Sequence, residues 1–264
     1  MKQAILFHLD DSFPWRDDIL FLDCVDSTNT QAKRMAAVGA AQGTIVIANT
    51  QTGGRGRMNR SFHSPENAGI YLSLILRPCR PATDLMHLTC AAGIAACDAI
   101  ESVTGLRPGI KWTNDLIWKG KKLGGILTEL VFTDPKAPCA IIGIGINCAQ
   151  SPQDFPEEIR DIATSVSIAT GQNVDRYQLA AALIVELYRT ANRLFSEKEA
   201  LMTRYRADCI TIGKHICVLN AGSVSHGVAT GVDDDGGLTV CFSDGTRKTV
   251  TSGEVSIRGM YGYV

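Results

Sequence analysis

The chain has 264 residues, 45% hydrophobic and 20% charged, which supplies a sizeable core and excludes global disorder. Its 26 Lys and Arg balance 27 Asp and Glu, which excludes a general pull toward nucleic acid or an anionic membrane. Nine cysteines, scattered and without a C-x-x-C pair, read as mostly buried free thiols of a reducing, cytoplasmic compartment rather than disulfides or a zinc site.

Asp10 and Asp11 interrupt the N-terminal segment, and no uncharged run approaches membrane-spanning length. Asp26-Ser27-Thr28-Asn29 offers capping side chains before a helix over 30–38, with Gly39 at its stop. β-branched residues predict a strand over 44–49. A Gly/Arg-rich loop runs from Thr52 to about Phe62, and 70–77 reads as a buried strand. The Ala-rich stretch 85–102 has helical spacing and breaks at Gly105 and Pro108. Strands follow over 109–113, 115–119 and 122–132, with Lys119-Gly120-Lys121 as a hairpin turn. Residues 139–146 form another apolar strand. Asp175 and Gln178 fit a relaxed capping box before a helix striped by Leu179, Leu183 and Leu187. Ser196 and Glu199 repeat that signal for a shorter helix ending near Cys209. From Gly213 short β runs alternate with turns at Ala221-Gly222-Ser223, Asp235-Gly236-Gly237, Asp244-Gly245 and Ser252-Gly253. They predict a meander of about five strands folded into a small barrel. The expected boundary divides 1–211 from 212–264.

Four segments invite chemistry. In Gln51 to Arg60, three glycines and three arginines fall within eight positions. Glycines let backbone N–H groups approach a ligand, and arginines present forks to carboxylate or phosphate, so an anion-binding loop is one reading and a solvated basic turn the other. Gly54-x-Gly56-x-x-Asn59 is not a dinucleotide fingerprint, because no helix opens after it, and no Walker-type loop is present. Lys111 to Leu116 places a lysine at a strand end before an Asn-Asp turn, which could aim a cation and an amide into one site; taken alone it reads as a solvent-facing lysine and an ordinary tight turn. Gly124 and Gly125 interrupt an apolar strand, which marks a bulge or a close approach. Gly143-Ile144-Gly145-Ile146-Asn147 ends a buried strand on an amide; tight packing against a helix equally accounts for its glycines.

In this order, with Asp26 to Asn29 before them and Ser252 to Arg258 after, these segments resemble the biotin protein ligase family over about residues 21–264. The resemblance implies an α+β fold: a mixed central sheet with flanking helices, and a small C-terminal SH3-like β-barrel. It implies that Ser27, Thr28, Asn29 and Gln51 hold biotin's ureido ring. The loop with Gly54, Arg55, Gly56, Arg57 and Arg60 would fold over biotin and its adenylate. Lys111 would meet the biotin carboxylate and α-phosphate, with Arg57 as its catalytic companion. Phe62, Asn114 and Asn147 would contact nucleotide or magnesium, and Gly124 and Gly125 would line the biotin slot. Three positions depart from the family pattern: Asn59 for Gly, Phe62 for Trp, and Thr113 for Pro. Asn tolerates a left-handed backbone, and Phe keeps an aromatic lid.

The implied reaction joins biotin to ATP with Mg²⁺, then passes biotin to a lysine of the carrier domain of a biotin-dependent carboxylase. Two anions must meet, so positioned cations suit it and no side-chain nucleophile is needed. The expected metal is the nucleotide's Mg²⁺, with no side-chain cluster to hold it. Rival readings are lipoate ligation or transfer on the same fold and a non-catalytic biotin-binding regulator. A winged DNA-binding module is not expected, since 25 residues precede Asp26. Acidic Asp233-Asp234-Asp235 argues against nucleic acid at the barrel. Homodimerisation is common in the family and is not legible in the sequence.

Overall fold

A computed structural model of the chain describes residues 1–132, 137–220, 223–257 and 260. A seven-stranded sheet forms its body, in the order β1-β2-β3-β7-β6-β5-β4. These strands are β1 (Ile19–Val25), β2 (Ile45–Gln51), β3 (Gly69–Leu76), β4 (Gly109–Lys111), β5 (Asp115–Trp118), β6 (Lys121–Val131) and β7 (Cys139–Asn147). Only β1 and β2 run parallel, joined through helix α2 (Thr28–Ala37). A parallel pair requires such a crossover, whereas β4, β5 and β6 pair antiparallel through short turns. One of these is the two-residue turn Lys119-Gly120, with φ of 47° and 81°.

Period-two alternation sends the strands' side chains to two faces. Ile45, Ile47, Ile70, Leu72, Leu74, Ile142, Ile144 and Ile146 point into the large core. That face is covered by α1 (Lys2–Phe7), α3 (Leu88–Thr104), α6 (Arg176–Arg193) and α7 (Lys198–Asp208). The opposite face carries Val46, Ile75 and Ile141 under Ala32 and Ala36 of α2. On that same face, register aligns Ser73, Gly143 and Leu127 in one row and Tyr71, Gly145 and Gly125 in the next. These rows are poor in apolar bulk, and the site forms over them.

Two short helices, α4 (Glu157–Arg160) and α5 (Val166–Thr170), connect β7 to α6. The Asp175 carboxylate caps α6, accepting from Tyr177 N and Gln178 N. Gly105, at φ 71°, ends α3 with its N–H on Glu101 O.

The second sheet contains β8 (His215–Asn220), β9 (Ser223–Val232), β10 (Leu238–Phe242), β11 (Arg247–Val250) and β12 (Glu254–Ile257), ordered β11-β10-β9-β8-β12. The first four make the expected meander, and β12 returns to the open edge of β8. The predicted turn residues Ala221 and Gly222, and Arg258, lie outside the described residues. The acidic triplet docks this sheet onto α7: Asp234 pairs with Arg206, and Asp235 with Lys198. Trp112 Nε1 donates to Gly236 O at 2.8 Å.

Two capping expectations need correction. Helix α2 starts at Thr28, and Ser27, at its N-cap, makes no side-chain cap bond. Gln51 Oε1, from the end of β2, instead accepts the Thr28 N–H at 2.9 Å, so the helix is capped from another strand. The N-cap of α7 is Glu197 rather than Ser196, also without a side-chain bond. Strand β1 and helices α1, α4 and α5 were not expected. They are short or carry mixed polar patterns that periodicity alone does not separate from loop.

Candidate active site

A cavity of about 150 Å³ opens on the α2 face of the large sheet. Three structural layers build its wall.

Sheet and helix ends form the first layer. Ser27, Thr28 and Asn29 open α2, and Gln51 closes β2 beside them. Gly143, Gly145 and Gly125 form part of the floor. A Cβ on Gly143 would lie 2.1 Å from Asn29 Oδ1, and one on Gly145 would lie 2.6 Å from the Phe62 ring. The β7 glycines are therefore cut away for a helix side chain and an aromatic side chain. A Cβ on Gly125 would meet only Lys122 and Asp115, at ordinary contact distance.

The second layer is the Gly/Arg segment. It is folded as a small hairpin, with Phe62 N on Gly54 O at 2.9 Å and Gly56 N on Arg60 O at 2.7 Å. At the tip, Met58 and Asn59 have φ of 54° and 59°, so the left-handed backbone expected of Asn59 is present. Arg55, Gly56, Arg57, Arg60 and Phe62 all line the cavity. Phe62 is edge-on to Tyr71, with ring centroids 6.4 Å apart.

The third layer brings distant chain segments together. Lys111 sits at the end of β4, Asn114 in the next turn, and Asp115 at the start of β5. Gly253 and Glu254 reach the cavity from the second sheet. Arg57 donates to Asn114 Oδ1 and to Gly253 O, each at 3.1 Å, and thereby ties the second layer to the third. Arg60 pairs with Glu254, which raises the Arg60 pKa.

Charge in this wall is asymmetric. Five cations, Arg55, Arg57, Arg60, Lys111 and Lys122, face two carboxylates, Asp115 and Glu254. Lys122 pairs with Asp115 at 2.6 Å. Arg57's two bonds go to neutral oxygens, so its charge is available to an incoming anion. Lys111 is 7% exposed, and burial lowers its pKa, with the Asp115 carboxylate opposing and the Lys122 cation adding to the shift.

Twelve of the expected site residues line this one cavity, including Arg57 and Lys111. Gly54, Gly124 and Asn147 do not. Gly54 is required because a Cβ would strike Phe62 O at 2.4 Å, and Gly124 because one would strike Gly145 O at 2.6 Å. Asn147 is buried, with Nδ2 donating to Thr164 O at 3.0 Å and Oδ1 accepting from Gln150. Asp115, Lys122 and Glu254 were given no role by sequence reasoning. Asp115 and Lys122 stand in the two motifs that already carried Lys111 and Gly125, which was the available signal. Glu254 stands in the Ser252 to Arg258 segment that shared in the resemblance, but nothing local brings it to the hairpin arginine it pairs with. Among the described residues, no three His, Cys, Asp or Glu side chains cluster closely enough to hold a metal.

The family model for the biotin/lipoate A/B protein ligase family matches residues 21–147, and that for the biotin protein ligase C-terminal domain matches 211–258. The chain is 38% identical over 234 residues to the bifunctional ligase/repressor BirA of Bacillus subtilis, covering 87% of this chain and 71% of that one. It is 34% identical to the biotin–[acetyl-CoA-carboxylase] ligase of Mycobacterium tuberculosis, covering 86% and 83%. The solved structure of the biotin protein ligase from Aquifex aeolicus, in complex with biotin and ATP, superposes with a TM-score of 0.77 at 29% identity, over 91% of this chain and 98% of that one. The cation-lined cavity, its two-sheet frame and these likenesses agree: the chain belongs to the biotin protein ligase family.

Proposed function

We propose that this chain is an ATP-dependent biotin ligase. It activates biotin as biotinyl-5′-AMP and transfers it to a lysine of a biotin carboxyl carrier domain. The observation that carries the reading is the convergence of Arg57 and Lys111, from segments far apart in sequence, on one cavity.

In the first step a biotin carboxylate oxygen attacks the α-phosphorus of ATP, and the bond to pyrophosphate breaks. Lys111 and Arg57 screen the two anions as they approach and stabilise charge on the phosphate oxygens. Arg55 and Arg60 supply further positive potential from the hairpin. Magnesium would enter on the phosphates and supply additional charge neutralisation. The chain's own residues hold, orient and exclude water. Ser27, Thr28, Asn29 and Gln51 take the ureido end, Gly125 leaves room beside it, and Phe62 packs over the floor. The Gly/Arg hairpin shields the mixed anhydride from hydrolysis. In the second step the carrier lysine attacks the acyl carbon and AMP departs.

In this reading residues 1–211 carry the chemistry and 212–264 complete its wall. All nine cysteines are free thiols, in keeping with a cytoplasmic setting. Incubation with ATP, Mg²⁺, labelled biotin and a biotin carrier domain tests the proposal, with lipoate as the control acid. Label on the carrier and pyrophosphate release are expected with biotin alone. Transfer of lipoate instead, or biotin binding without pyrophosphate release, overturns it.

A further inference from the structure

Behind the cavity wall runs a row of buried polar side chains that meets the cavity at one end. Ser73 on β3 has no exposed surface. Its Oγ lies 2.6 Å from Asn29 Oδ1 and 2.8 Å from Thr28 Oγ1. A serine hydroxyl has one proton and can donate to only one of them.

Asn29 decides which. Its Nδ2 donates to Leu127 O at 3.1 Å and to Glu129 Oε2 at 2.9 Å. A carbonyl and an ionised carboxylate have no proton to offer, so the amide cannot be reversed. Asn29 Oδ1 therefore faces Ser73 as an acceptor. Ser73 donates to Asn29, and the Thr28 hydroxyl donates to Ser73. Glu129 anchors the row through Lys33 Nζ at 2.6 Å. Burial alone would raise the Glu129 pKa, but hydrogen bonds from Lys33 and Asn29 outweigh it and hold the carboxylate ionised.

At the cavity end the same reasoning fixes Gln51. Its Nε2 donates to Ser64 Oγ at 2.8 Å, and Ser64 donates to Phe62 O at 2.9 Å. Gln51 Oε1 accepts the Thr28 N–H and lies 3.2 Å from Thr28 Oγ1. The Thr28 proton is committed to Ser73. Two acceptor oxygens thus sit side by side on the cavity wall with no hydrogen between them.

We propose that Glu129, Asn29 and Ser73 form a one-way hydrogen-bond relay. It turns Thr28 Oγ1 and Gln51 Oε1 into a paired acceptor for a ring N–H of the substrate. Ser73 and Glu129 are then positioning residues for substrate choice. The inference rests on the biotin reading above and deepens it. Biotin's ureido ring carries N–H donors, whereas the dithiolane of lipoate carries none. A site built around unmatched acceptors rejects an acid that brings no donor, because its buried oxygens would stay unpaired.

The test is calorimetric titration of the full chain with biotin and with its two analogues in which one or other ureido N–H is replaced by oxygen. In the unaltered chain one analogue is expected to bind roughly 100-fold weaker than biotin, because an acceptor then meets two acceptors. Ser73→Ala frees the Thr28 hydroxyl to donate. It should weaken biotin about tenfold and shrink the analogue's penalty by a similar factor, with the KM for ATP unchanged. In a Thr28→Val background, Ser73→Ala should no longer alter the ratio. Glu129→Gln probes the relay from its far end should Ser73→Ala fail to fold. The amide it introduces lets Asn29 turn over, with a smaller shift of the same sign. Equal weakening of biotin and both analogues in these variants overturns the relay while leaving the biotin reading intact. No biotin binding by the unaltered chain overturns both.

Discussion

The two ends of the cavity are built differently. The end proposed to take the ureido ring is made of strand and helix termini whose side chains are buried and locked to one another: Thr28 and Asn29 are 4% and 3% exposed. The end proposed to take the phosphates is made of a hairpin whose arginines reach into solvent, with Arg55 45% and Arg60 65% exposed at the side chain. Lys111 is the exception there, a buried cation fixed on a strand. The contrast separates two tasks. Selecting a neutral ring needs fixed donors and acceptors, whereas neutralising a moving charge needs cations that can close and reopen.

Removing the fixed cation should produce the largest effect. Lys111→Ala is expected to cut pyrophosphate release by roughly 100-fold or more, the scale of one preorganised electrostatic contact. A near-normal burst of pyrophosphate would show that the hairpin arginines suffice, and the contrast between fixed and movable cations would fall. Next comes the floor of the ureido end. Gly143→Ala puts a Cβ against Asn29 Oδ1 and should destabilise the fold by about 1–3 kcal/mol, while Gly125→Ala meets only ordinary contacts and should fold normally. Equal melting temperatures for the two variants would remove the distinction between a packed floor and an open one.

Arg57→Ala should act more mildly on chemistry, roughly tenfold, and chiefly by letting biotinyl-AMP escape before transfer. Retention of labelled adenylate on a desalting column would count against a covering role. The pH profile sharpens the same comparison. Burial lowers the Lys111 pKa, so its proton is lost at a lower pH than from an ordinary lysine. Activity should be full while Lys111 is charged and decline as pH rises through its shifted value. Lys111→Arg should carry that decline to higher pH, and an unmoved limb would assign it to another group. The smallest effect belongs to the hairpin tip. Met58→Gly removes the Cβ from a left-handed residue and should stabilise the chain by about 1 kcal/mol or less, with unchanged kcat.

The same contrast separates what was legible in the sequence from what was not. Strands β2, β3, β6 and β7 and helices α2, α3 and α6 follow from alternation, helical spacing and glycine stops. Arg57 and Gln51 stand in a loop whose composition allowed anion binding, and Lys111 in a segment whose role came from the family resemblance. Glu254 and Gly253 complete the site through a contact some 190 positions away in the chain, and no local pattern encodes such a closure. Ser73 was hidden for another reason. Inside IYLSLILR a lone serine reads as a tolerated polar residue, and its meaning appears only when register sets it beside Gly143 and under α2. Nor does local sequence reveal that Gln51 caps a helix begun 23 residues earlier.

The bond from Arg57 to Gly253 has a consequence during synthesis. All seven strands of the large sheet leave the ribosome before residue 253, carrying every cation of the site with them. A nascent chain at that stage holds the charges but lacks the oxygen that receives Arg57 and the carboxylate that receives Arg60. The hairpin's anchoring to the second sheet is therefore completed only once β12 has been made.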